Sequence, residues 1–588
     1  MRSITSGGRG SILEFLETLV ASFDPLEFQA SVELRRRPDS VPDAAILITN
    51  KKWASSPSGR ALFDLLSSQR EIVSVRAAGQ KITLRLADHL IASAGEELEA
   101  GDLATSGLLA GQNYIVDFCD PNATKALHLG HMRNIAVGNA LVAALRAAGA
   151  RVVRQSVICD IGRNVAEAMA GHLQFHNGET PEASGIKPDR YVGNCYAEYV
   201  RRLDTAAQPD AAAPDAPLAR ELQARSDLAE DLLRRWNRGE TEARELWKKI
   251  RSWALQGQEQ TLRRLGITID TPLYESDVFD TVNLLAAQGL ERGIFRRTPD
   301  GAVVYETGKK EYETVPLIRA DNFPTEHMRA AAIWYRLQKQ APGLDGIIHI
   351  MGDEWLAATF YWESILSNFP PCPLYRIYHR IPYGMVFFQG SKMKSSGGDV
   401  ILIDDILDRL AESDAVRRLS GPESAPDPDT IAQTIVLGFF LNRPAAKSIE
   451  LSWDRMLDET QNPGWLLARA WSNACAKAQT FAGDIRDRAN VSDPSYRFAV
   501  IQSHRFRRLL QLTVSNRDVS ILMHYLVHLA QWYVTTTAGP PLHRVMRTVL
   551  QSGLCALGCL PLAKAELPSR AASGAAVALK EEEFANPV

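Results

Sequence analysis

Hydrophobic and polar positions divide the first half of the chain into regions with different periodicities. Residues 1 to about 105 combine a helical pattern with alternating strands such as AAILITN and KITLRLADHL, which predicts a small α+β domain. A buried strand (YIVDF), an Ala-rich helix over 132–149 and a second strand (RVVRQSVICDIG) then follow one another. This βαβ order predicts an α/β fold built on a Rossmann-like, doubly wound parallel sheet.

The periodicity changes inside the sheet region and again after it. Charged amphipathic helices, with a Pro/Ala-rich loop at 205–219, predict a helical insertion at about 172–265. Apolar strands resume with GAVVYET and GIIHIMG, and repeated i, i+3, i+4 spacing predicts a C-terminal helix bundle. The predicted domains are an N-terminal α+β domain at 1–105, a sheet domain at 106–430, a helical domain at 431–565 and a disordered tail at 566–588.

Composition excludes several classes of protein. The 588 residues are 45% hydrophobic and 23% charged with a net charge of −3, so nucleic-acid binding would need a local basic surface. No run reaches the roughly 18 apolar residues of a membrane span, and the N-terminus lacks a signal-peptide core. The seven cysteines form no metal-ligand spacing. A reduced, cytoplasmic protein with core cysteines and no metal ligands is expected.

The first candidate for chemistry is HLGH, at the junction of the YIVDF strand and the Ala-rich helix. Ligands of open parallel sheets bind at the carboxyl ends of strands, and a helix N-terminus favours phosphate. Gly130 removes a side chain where a nucleotide approaches, and His128 and His131 can donate to phosphate oxygens. The site type suits adenylyl or nucleotidyl transfer, although four residues alone also arise by chance.

A second candidate is the stretch GMVFFQGSKMKSSGGDVI. Its Lys-Met and Ser-Ser-Gly-Gly sequence is typical of a loop that carries a cation and hydroxyl donors. Placed over a triphosphate, Lys392 would neutralise the leaving pyrophosphate. Taken alone, the stretch is also compatible with a solvated basic loop.

Together the two stretches resemble the HIGH and KMSKS signatures of class I aminoacyl-tRNA synthetases. VDFCDPNATKALHLGHMRN is similar to the arginyl-tRNA synthetase signature, and KPDRYVGNCYAEYVRRL, ELWKKIRSWALQGQEQTLRRLGITID and the tripeptide YES extend the similarity. NPGWLLARAWSNACAKAQTF and RVMRTVLQSGLCALGCLP resemble that family's anticodon-binding helices, and the first 105 residues are placed like its tRNA-elbow domain. The resemblance covers nearly the whole chain.

The resemblance implies that an amino acid and ATP, with Mg²⁺, form an aminoacyl adenylate, which then passes to tRNA. A monomer is the habit of the family, and no membrane partner is expected. Residues matched to catalytic or ATP-binding positions are His128, His131, Lys392, Lys125, Gly130, Ser395 and Ser396. Residues matched to the amino-acid and adenylate pocket are Asp117, Asn122, Asp160, Glu275, Thr325, Arg329 and Trp355.

The amino-acid pocket departs from the family pattern. In RADNFPTEHMRAAAIWYR, Thr325 falls at a family Tyr and Arg329 at the Asp that reads the substrate guanidinium. Trp355 replaces a Gln, and Cys119–Asp120 stands where small residues are usual. Arg329 beside an arginine substrate would juxtapose like charges, at a cost of about 10²-fold or more in affinity. A shifted alignment remains open, with Glu275, Glu326 or Asp353 reading the guanidinium.

Three rivals to arginyl-tRNA synthesis follow from these departures. A paralogue could activate a different amino acid or transfer it to an acceptor other than tRNA in specialised metabolism. A non-catalytic RNA-binding relative is disfavoured because the phosphate-binding residues are intact, and a small-molecule nucleotidyltransferase is disfavoured by the helical C-terminal domain. The basic face expected to bind tRNA comprises Arg505, Arg507, Arg508, Arg517 and Arg544.

Overall fold

The computed structural model describes most of the chain. The described residues are 12–21, 30–34, 42–49, 53, 56–99, 103, 107–176, 178–206, 228–308, 314–340, 342–369, 374–392, 401–420, 426–479, 491–537 and 539–560. Most of the 205–219 loop and all of the 566–588 tail lie outside these residues.

Fifteen strands among the described residues form four sheets. In chain order they are β1 Ala30–Leu34, β2 Ala44–Ile48, β3 Ile72–Ala78, β4 Lys81–Leu86, β5 Asn113–Asp117, β6 Arg151–Ile158, β7 Thr271–Tyr274, β8 Phe295–Arg297, β9 Val303–Glu306, β10 Thr314–Ile318, β11 Gly346–Gly352, β12 Tyr378–Tyr383, β13 Val386–Phe388, β14 Ser391–Lys392 and β15 Ile449–Leu451.

Helices surround these sheets. They span Ile12–Ala21, Pro57–Ser67, Asp88–Glu99, Leu129–Ala147, Arg163–Phe175, Pro181–Ser184, Pro188–Ala206, 228–237, Thr241–Arg264, Phe279–Glu291, Glu326–Gln340, Leu356–Leu366, Leu374–Ile377, Ile403–Ala411, Asp414–Leu419, Pro428–Leu441, Trp453–Leu457, Pro463–Gln479, Pro494–Ser503, Arg505–Asn516, Ser520–Thr535 and Pro540–Ala556. Within the described residues, none of them is both long and apolar enough to cross a membrane.

The N-terminal region is an α+β unit, as its alternating pattern predicts. Its antiparallel sheet has the order β1-β2-β4-β3, and along β4 the buried apolar side chains alternate with polar residues that are half-buried or exposed. The unit packs on the C-terminal helices around Arg497, which is fully buried. The Arg497 guanidinium donates to Asp43 at 2.6 Å and to Asp88 at 2.7 Å. These two ion pairs fasten the first domain to the last.

The central sheet has the order β12-β11-β5-β6-β7, and all of its strands are parallel. The predicted parallel pairing of YIVDF with the second strand is confirmed, with Asn113 opposite Arg151. Because the chain leaves β5 for β6 on one side and β11 lies on the other, the order of strands reverses at β5. Such a reversal opens a crevice at the carboxyl ends of the strands, where ligands of this fold bind.

Two excursions interrupt the central sheet. Long helices before β7 agree with the predicted helical insertion. A second excursion, between β7 and β11, forms a small antiparallel sheet in the order β10-β9-β8. The strand in GAVVYET belongs to this small sheet and not to the central one, which the periodicity of a four-residue strand could not specify.

The C-terminal region is a helix bundle, as its i, i+3, i+4 pattern predicts. One side chain joins it to the helix Leu129–Ala147, which follows β5. Arg133 on that helix is fully buried, and its guanidinium donates to the carbonyl oxygens of Phe440, Arg443 and Pro444. These carbonyls lie at and just beyond the end of the helix Pro428–Leu441. Arg133 therefore donates to carbonyl groups that have no amide partner at the end of the helix Pro428–Leu441.

Candidate active site

The HLGH stretch forms the start of the helix Leu129–Ala147, here called the HLGH helix. His128 is its N-cap, and its Nδ1 accepts a hydrogen bond from the Gly130 amide at 3.1 Å. His131 Nδ1 in turn accepts from the His128 amide at 3.1 Å. The helix therefore begins at Leu129, earlier than the Ala-rich pattern alone predicts, because the two imidazoles cap one another's backbone.

These hydrogen bonds decide where the imidazole protons lie. Each Nδ1 is an acceptor, so in the neutral ring the proton is on Nε2. Burial and the neighbouring Lys125 charge lower the pKa of His131 to about 3, and burial and His131 lower that of His128 to about 2. Both rings are thus neutral Nε2–H donors at physiological pH. The buried His128 Nε2 has no hydrogen-bond partner among the described residues, which leaves one donor for a ligand.

Gly130 has a local reason to lack a side chain. A Cβ at this position would lie 2.9 Å from the His128 ring, closer than such contacts allow. The two imidazole centroids are 3.9 Å apart. Glycine therefore permits the folded-back arrangement of the two rings, and the close approach of a nucleotide is a separate expectation.

Backbone hydrogen bonds join the chain that follows the Lys392 stretch to the HLGH residues. Lys392 ends β14, while its side chain and Ser395 and Ser396 lie outside the described residues. After them the chain rejoins the HLGH helix, where the Leu129 amide donates to Ile401 O at 2.9 Å and the Ile403 amide donates to Leu127 O at 3.1 Å. The segment 393–400 therefore begins at β14 and ends beside the HLGH residues.

A glutamine of the insertion contacts the loop between β5 and the HLGH helix at two points. Gln258 of the insertion is buried, and its Nε2 donates to Asn122 O and to Lys125 O, both at 2.8 Å. Burial lowers the pKa of Lys125. Gln258 could not be predicted from the sequence, because its contacts are made across more than 130 residues of chain.

Asp160 is occupied by the protein itself. Its carboxylate accepts from Arg251 Nε at 2.6 Å, from Ser276 Oγ at 2.7 Å and from the Ser276 amide at 2.9 Å, and its carbonyl accepts from Trp247 at 2.7 Å. Burial raises its pKa against these stabilising contacts. The Asp160 carboxylate therefore joins the end of β6 to Arg251 of the insertion and to Ser276, and its match to the adenylate pocket stays a prediction.

Glu275 and Arg329 form a buried ion pair near Asp160. Arg329 Nε donates to Glu275 at 3.0 Å and Nη1 donates to Pro324 O at 2.6 Å, and the two residues are only 7% and 8% exposed. Burial opposes the charge of Arg329, but Glu275 raises its pKa; burial also raises the pKa of Glu275, against the attraction of Arg329. The Nη2 atom of Arg329, which makes no hydrogen bond among the described residues, lies near Gly162.

Thr325 contacts Arg329 only through the backbone, and no side-chain hydrogen bond joins Trp355 to the pair among the described residues. Thr325 Oγ1 donates to Pro316 O at 2.7 Å, and its carbonyl accepts the Arg329 amide at the start of the helix Glu326–Gln340. Trp355 is 50% exposed, in the short 3-10 helix Asp353–Trp355 after β11. Thr325 thus positions the backbone of Arg329. Trp355 exposes its indole to solvent beyond the carboxyl end of β11.

A further cluster lies where the carboxyl end of β5 meets the middle of β11. Asp117 is fully buried, and burial and the charge of Asp120 raise its pKa to about 7. His349 stands opposite Asp117 in the sheet register, and its Nε2 lies 3.9 Å from Asp117 and 3.5 Å from Asp120. Sequence reasoning matched Asp117 to the pocket but missed His349, although a histidine within the apolar run GIIHIMG was a signal for it.

Comparison with known proteins places this geometry in context. The family model described as the catalytic domain of class I tRNA synthetases, type R, matches residues 102–425. An arginine–tRNA ligase of Amoebophilus asiaticus is 28% identical over 72% of this chain and 73% of its own length. One from Treponema pallidum is 30% identical, and the match covers 51% of this chain and 48% of that protein.

Solved structures show the same fold. Thermus thermophilus arginyl-tRNA synthetase superposes with a TM-score of 0.64 at 20% identity, covering 93% of this chain and 99% of that one. The Plasmodium falciparum arginyl-tRNA synthetase gives a TM-score of 0.59 at 13% identity, covering 93% and 96%.

Proposed function

The chain belongs to the arginyl-tRNA synthetase family of class I, whose catalytic-domain model spans more than half of its length, and from this premise we propose that it is an aminoacyl-tRNA ligase. An amino-acid carboxylate attacks the α-phosphorus of ATP and pyrophosphate leaves. The acyl group of the adenylate then passes to the 3′-terminal adenosine of tRNA with release of AMP.

The observation that carries this proposal is the pair of neutral imidazoles at the HLGH helix. His128 and His131 present Nε2–H donors at a helix N-terminus, and that of His128 is buried without a partner in the described part of the chain. Such donors stabilise negative charge that develops on phosphate oxygens, at a site which already favours anions. Gly130 permits the geometry of the two rings, and Lys125 supplies a nearby cation.

The remaining roles concern the pyrophosphate end of ATP. We propose that Lys392, Ser395 and Ser396 contact the leaving pyrophosphate, since the segment that contains the serines ends at the HLGH residues. Donor groups at the helix start fit triphosphate oxygens, and Mg²⁺ is proposed to arrive with ATP. Mg²⁺ would neutralise phosphate charge, while the chain's own residues orient the α-phosphate.

Amino-acid-dependent exchange of pyrophosphate into ATP tests this function. The reaction is run with arginine and with each other proteinogenic amino acid, in the presence and absence of tRNA. Exchange that depends on one amino acid is expected. The absence of exchange for every amino acid, with tRNA present, would contradict the proposal.

The buried pair Arg329–Glu275 favours a second candidate, a paralogue with an altered amino-acid pocket. Glu275 is already neutralised by a guanidinium of the chain, so a second guanidinium beside Arg329 would meet a like charge. The cost is on the order of a few kcal/mol, or about 10²-fold in affinity. Arg329 Nη2 is a donor, and it would suit a substrate side chain that accepts hydrogen bonds, such as a carboxylate.

The same exchange panel separates the two candidates. Robust exchange with arginine retains the family activity and removes the paralogue. Exchange with another amino acid, and transfer of that acyl group to tRNA or to a different acceptor, supports the paralogue.

The domain division, the partners and the cellular site are proposals of the same kind. We propose domains at 1–105, 106–430 and 431–565 with a tail at 566–588, a monomer, and a cytoplasmic location where ATP and tRNA meet. Limited proteolysis and sedimentation of the full chain test the first two.

A further inference from the structure

The cluster where the carboxyl end of β5 meets the middle of β11 has a composition that the ATP chemistry does not use. It consists of Asp117, Asp120 and His349, whose nearest ligand atoms all lie within 4.8 Å of one another. Two neighbouring strands supply them, because His349 on β11 pairs in register with Asp117 on β5. The pairing of these parallel strands thus brings two carboxylates and one imidazole to a single point.

The spacing within the cluster is wider than hydrogen bonds require. His349 Nε2 lies 3.5 Å from Asp120 Oδ2 and 3.9 Å from Asp117 Oδ2, whereas charge-assisted N–H···O contacts are about 2.8 Å. Two ligand atoms bound at about 2.1 Å to one metal ion, near tetrahedral angles, lie about 3.4 Å apart. The separation therefore matches ligands around a shared ion better than partners in direct contact.

Asp117 gives an independent indication of a ligand. It is fully buried, and neither carboxylate oxygen has a hydrogen-bond partner among the described residues. Burying a carboxylate without hydrogen bonds is costly unless a cation or a coordinated metal compensates it, and the nearest candidate cation, His349, is 3.9 Å away. Both oxygens are available, one of them facing His349 Nε2.

A hydrogen bond on the side of the ring away from the carboxylates fixes the orientation of His349. Its Nδ1 lies 2.7 Å from the Tyr378 hydroxyl, which can accept a hydrogen bond from Nδ1–H and so leave the Nε2 lone pair facing the carboxylates. A ligating histidine commonly donates its other ring N–H to such an acceptor. Asp120 is fixed as well, because its Oδ1 accepts the Val157 amide at 2.8 Å and leaves Oδ2 for the cluster.

We propose that Asp117, Asp120 and His349 bind one divalent transition-metal ion. An imidazole with carboxylates suits zinc or manganese, whereas magnesium and calcium prefer oxygen ligands alone. The side chains of Asp120 and His349 are 26% and 15% exposed, so the ion can reach the site from solvent. Because Asp117 is matched to the amino-acid pocket, the ion would lie beside the substrate of the proposed function, and binding of the metal ion alone tests it apart from that function.

Binding of zinc ions alone to the full chain tests the proposal. Equilibrium dialysis and isothermal titration should give one site that Asp120→Asn and His349→Gln each weaken by at least tenfold. Asp120→Asn suits the fold because asparagine tolerates the positive φ of 41° at this residue and keeps the acceptor for Val157. Thermal melts in chelator should show that both variants fold.

Matched controls come from the same edge of the sheet. Asp353→Asn alters an exposed acid just after β11, and His379→Gln alters a histidine on the adjacent strand β12; neither should change the affinity for zinc. Manganese titrations repeat the comparison. Absence of a site for both ions, or binding unchanged in Asp120→Asn and His349→Gln, overturns the proposal. In that case a protonated amine of a ligand is the cation that the cluster holds.

Discussion

The two sides of the crevice are built on opposite principles. On the phosphate side, the Nδ1 atoms of His128 and His131 accept hydrogen bonds from backbone amides, and their Nε2–H groups can donate to a ligand. On the amino-acid side, Asp160 and Glu275 have their carboxylates occupied by Arg251, Ser276 and Arg329. The two histidines present donors outward, whereas Asp160 and Glu275 have their charges satisfied within the protein.

This difference explains which part of the site keeps the family pattern. A phosphate is recognised by backbone geometry at a helix start, which a short contiguous motif encodes. A side-chain pocket is made by residues from distant segments, and one substitution, such as Arg329, can close it with an ion pair. Selectivity can therefore change while phosphate chemistry is retained.

The largest effect should come from breaking the internal pair on the amino-acid side. Glu275→Ala leaves the Arg329 charge buried without its partner, which should lower the free energy of unfolding by about 3–5 kcal/mol. Glu275→Gln, which keeps an acceptor for Arg329 Nε, should lose less. Urea denaturation measures both. Equal stability of Glu275→Ala and the natural chain would show that the pair is not a buried structural contact.

Next in size is the removal of donors on the phosphate side. His128→Ala, His131→Ala and Lys392→Ala should each lower adenylate formation by roughly 10²-fold, or about 3 kcal/mol of transition-state stabilisation. The lost helix cap adds a stability cost of about 1 kcal/mol to the histidine variants. His176→Ala, on the insertion, is the control in pyrophosphate exchange. Rates near those of the natural chain in all three variants would place ATP elsewhere.

A smaller effect should appear on acidification. The folded-state pKa of His131 is about 3, below its ordinary value of 6.5, so its contribution to stability is present above pH 6.5 and is lost as pH falls. By pH 5 this loss is about 2 kcal/mol, because the unfolded chain then binds the proton. In unfolding measurements at pH 7 and pH 5, His131→Asn should therefore lose about 2 kcal/mol less than the natural chain. An identical loss in both would mean that the ring is charged in the folded protein.

The smallest effect concerns RNA binding far from the crevice. Arg508 is exposed, whereas Arg507 pairs with Glu14 of the N-terminal domain at 3.0 Å. If Arg508 contacts a tRNA phosphate, Arg508→Ala should lower the slope of log affinity against log salt by about 0.7–0.9. Arg507→Ala should leave that slope unchanged. Affinity that does not depend on salt would contradict a phosphate-binding face on the bundle.

Much of the fold could be predicted from the sequence because its signals are local. The βαβ order gave the parallel sheet, and apolar periodicity gave the bundle and the N-terminal α+β unit. The small sheet β10-β9-β8 was not foreseen, since its strands are three to five residues long and nothing local separates them from the central sheet.

Within the candidate site, contiguous and dispersed features differ in the same way. HLGH could be found because its four residues are adjacent. Gln258, Arg251 and Tyr378 could not, because each meets its partner across long stretches of chain. Arg329 was suspected from alignment, but only the fold reveals that its guanidinium is paired with Glu275.

The contacts of Arg133 have a consequence for how the molecule melts. Its guanidinium, on the helix that begins with HLGH, completes the last turn of a helix in the C-terminal bundle. If either region unfolded alone, these hydrogen bonds would be exchanged for hydrogen bonds to water, with a net loss of about 1.5–3 kcal/mol for each bond to the charged guanidinium. The sheet domain and the bundle should therefore unfold in a single cooperative transition, and a fragment cut between them should aggregate.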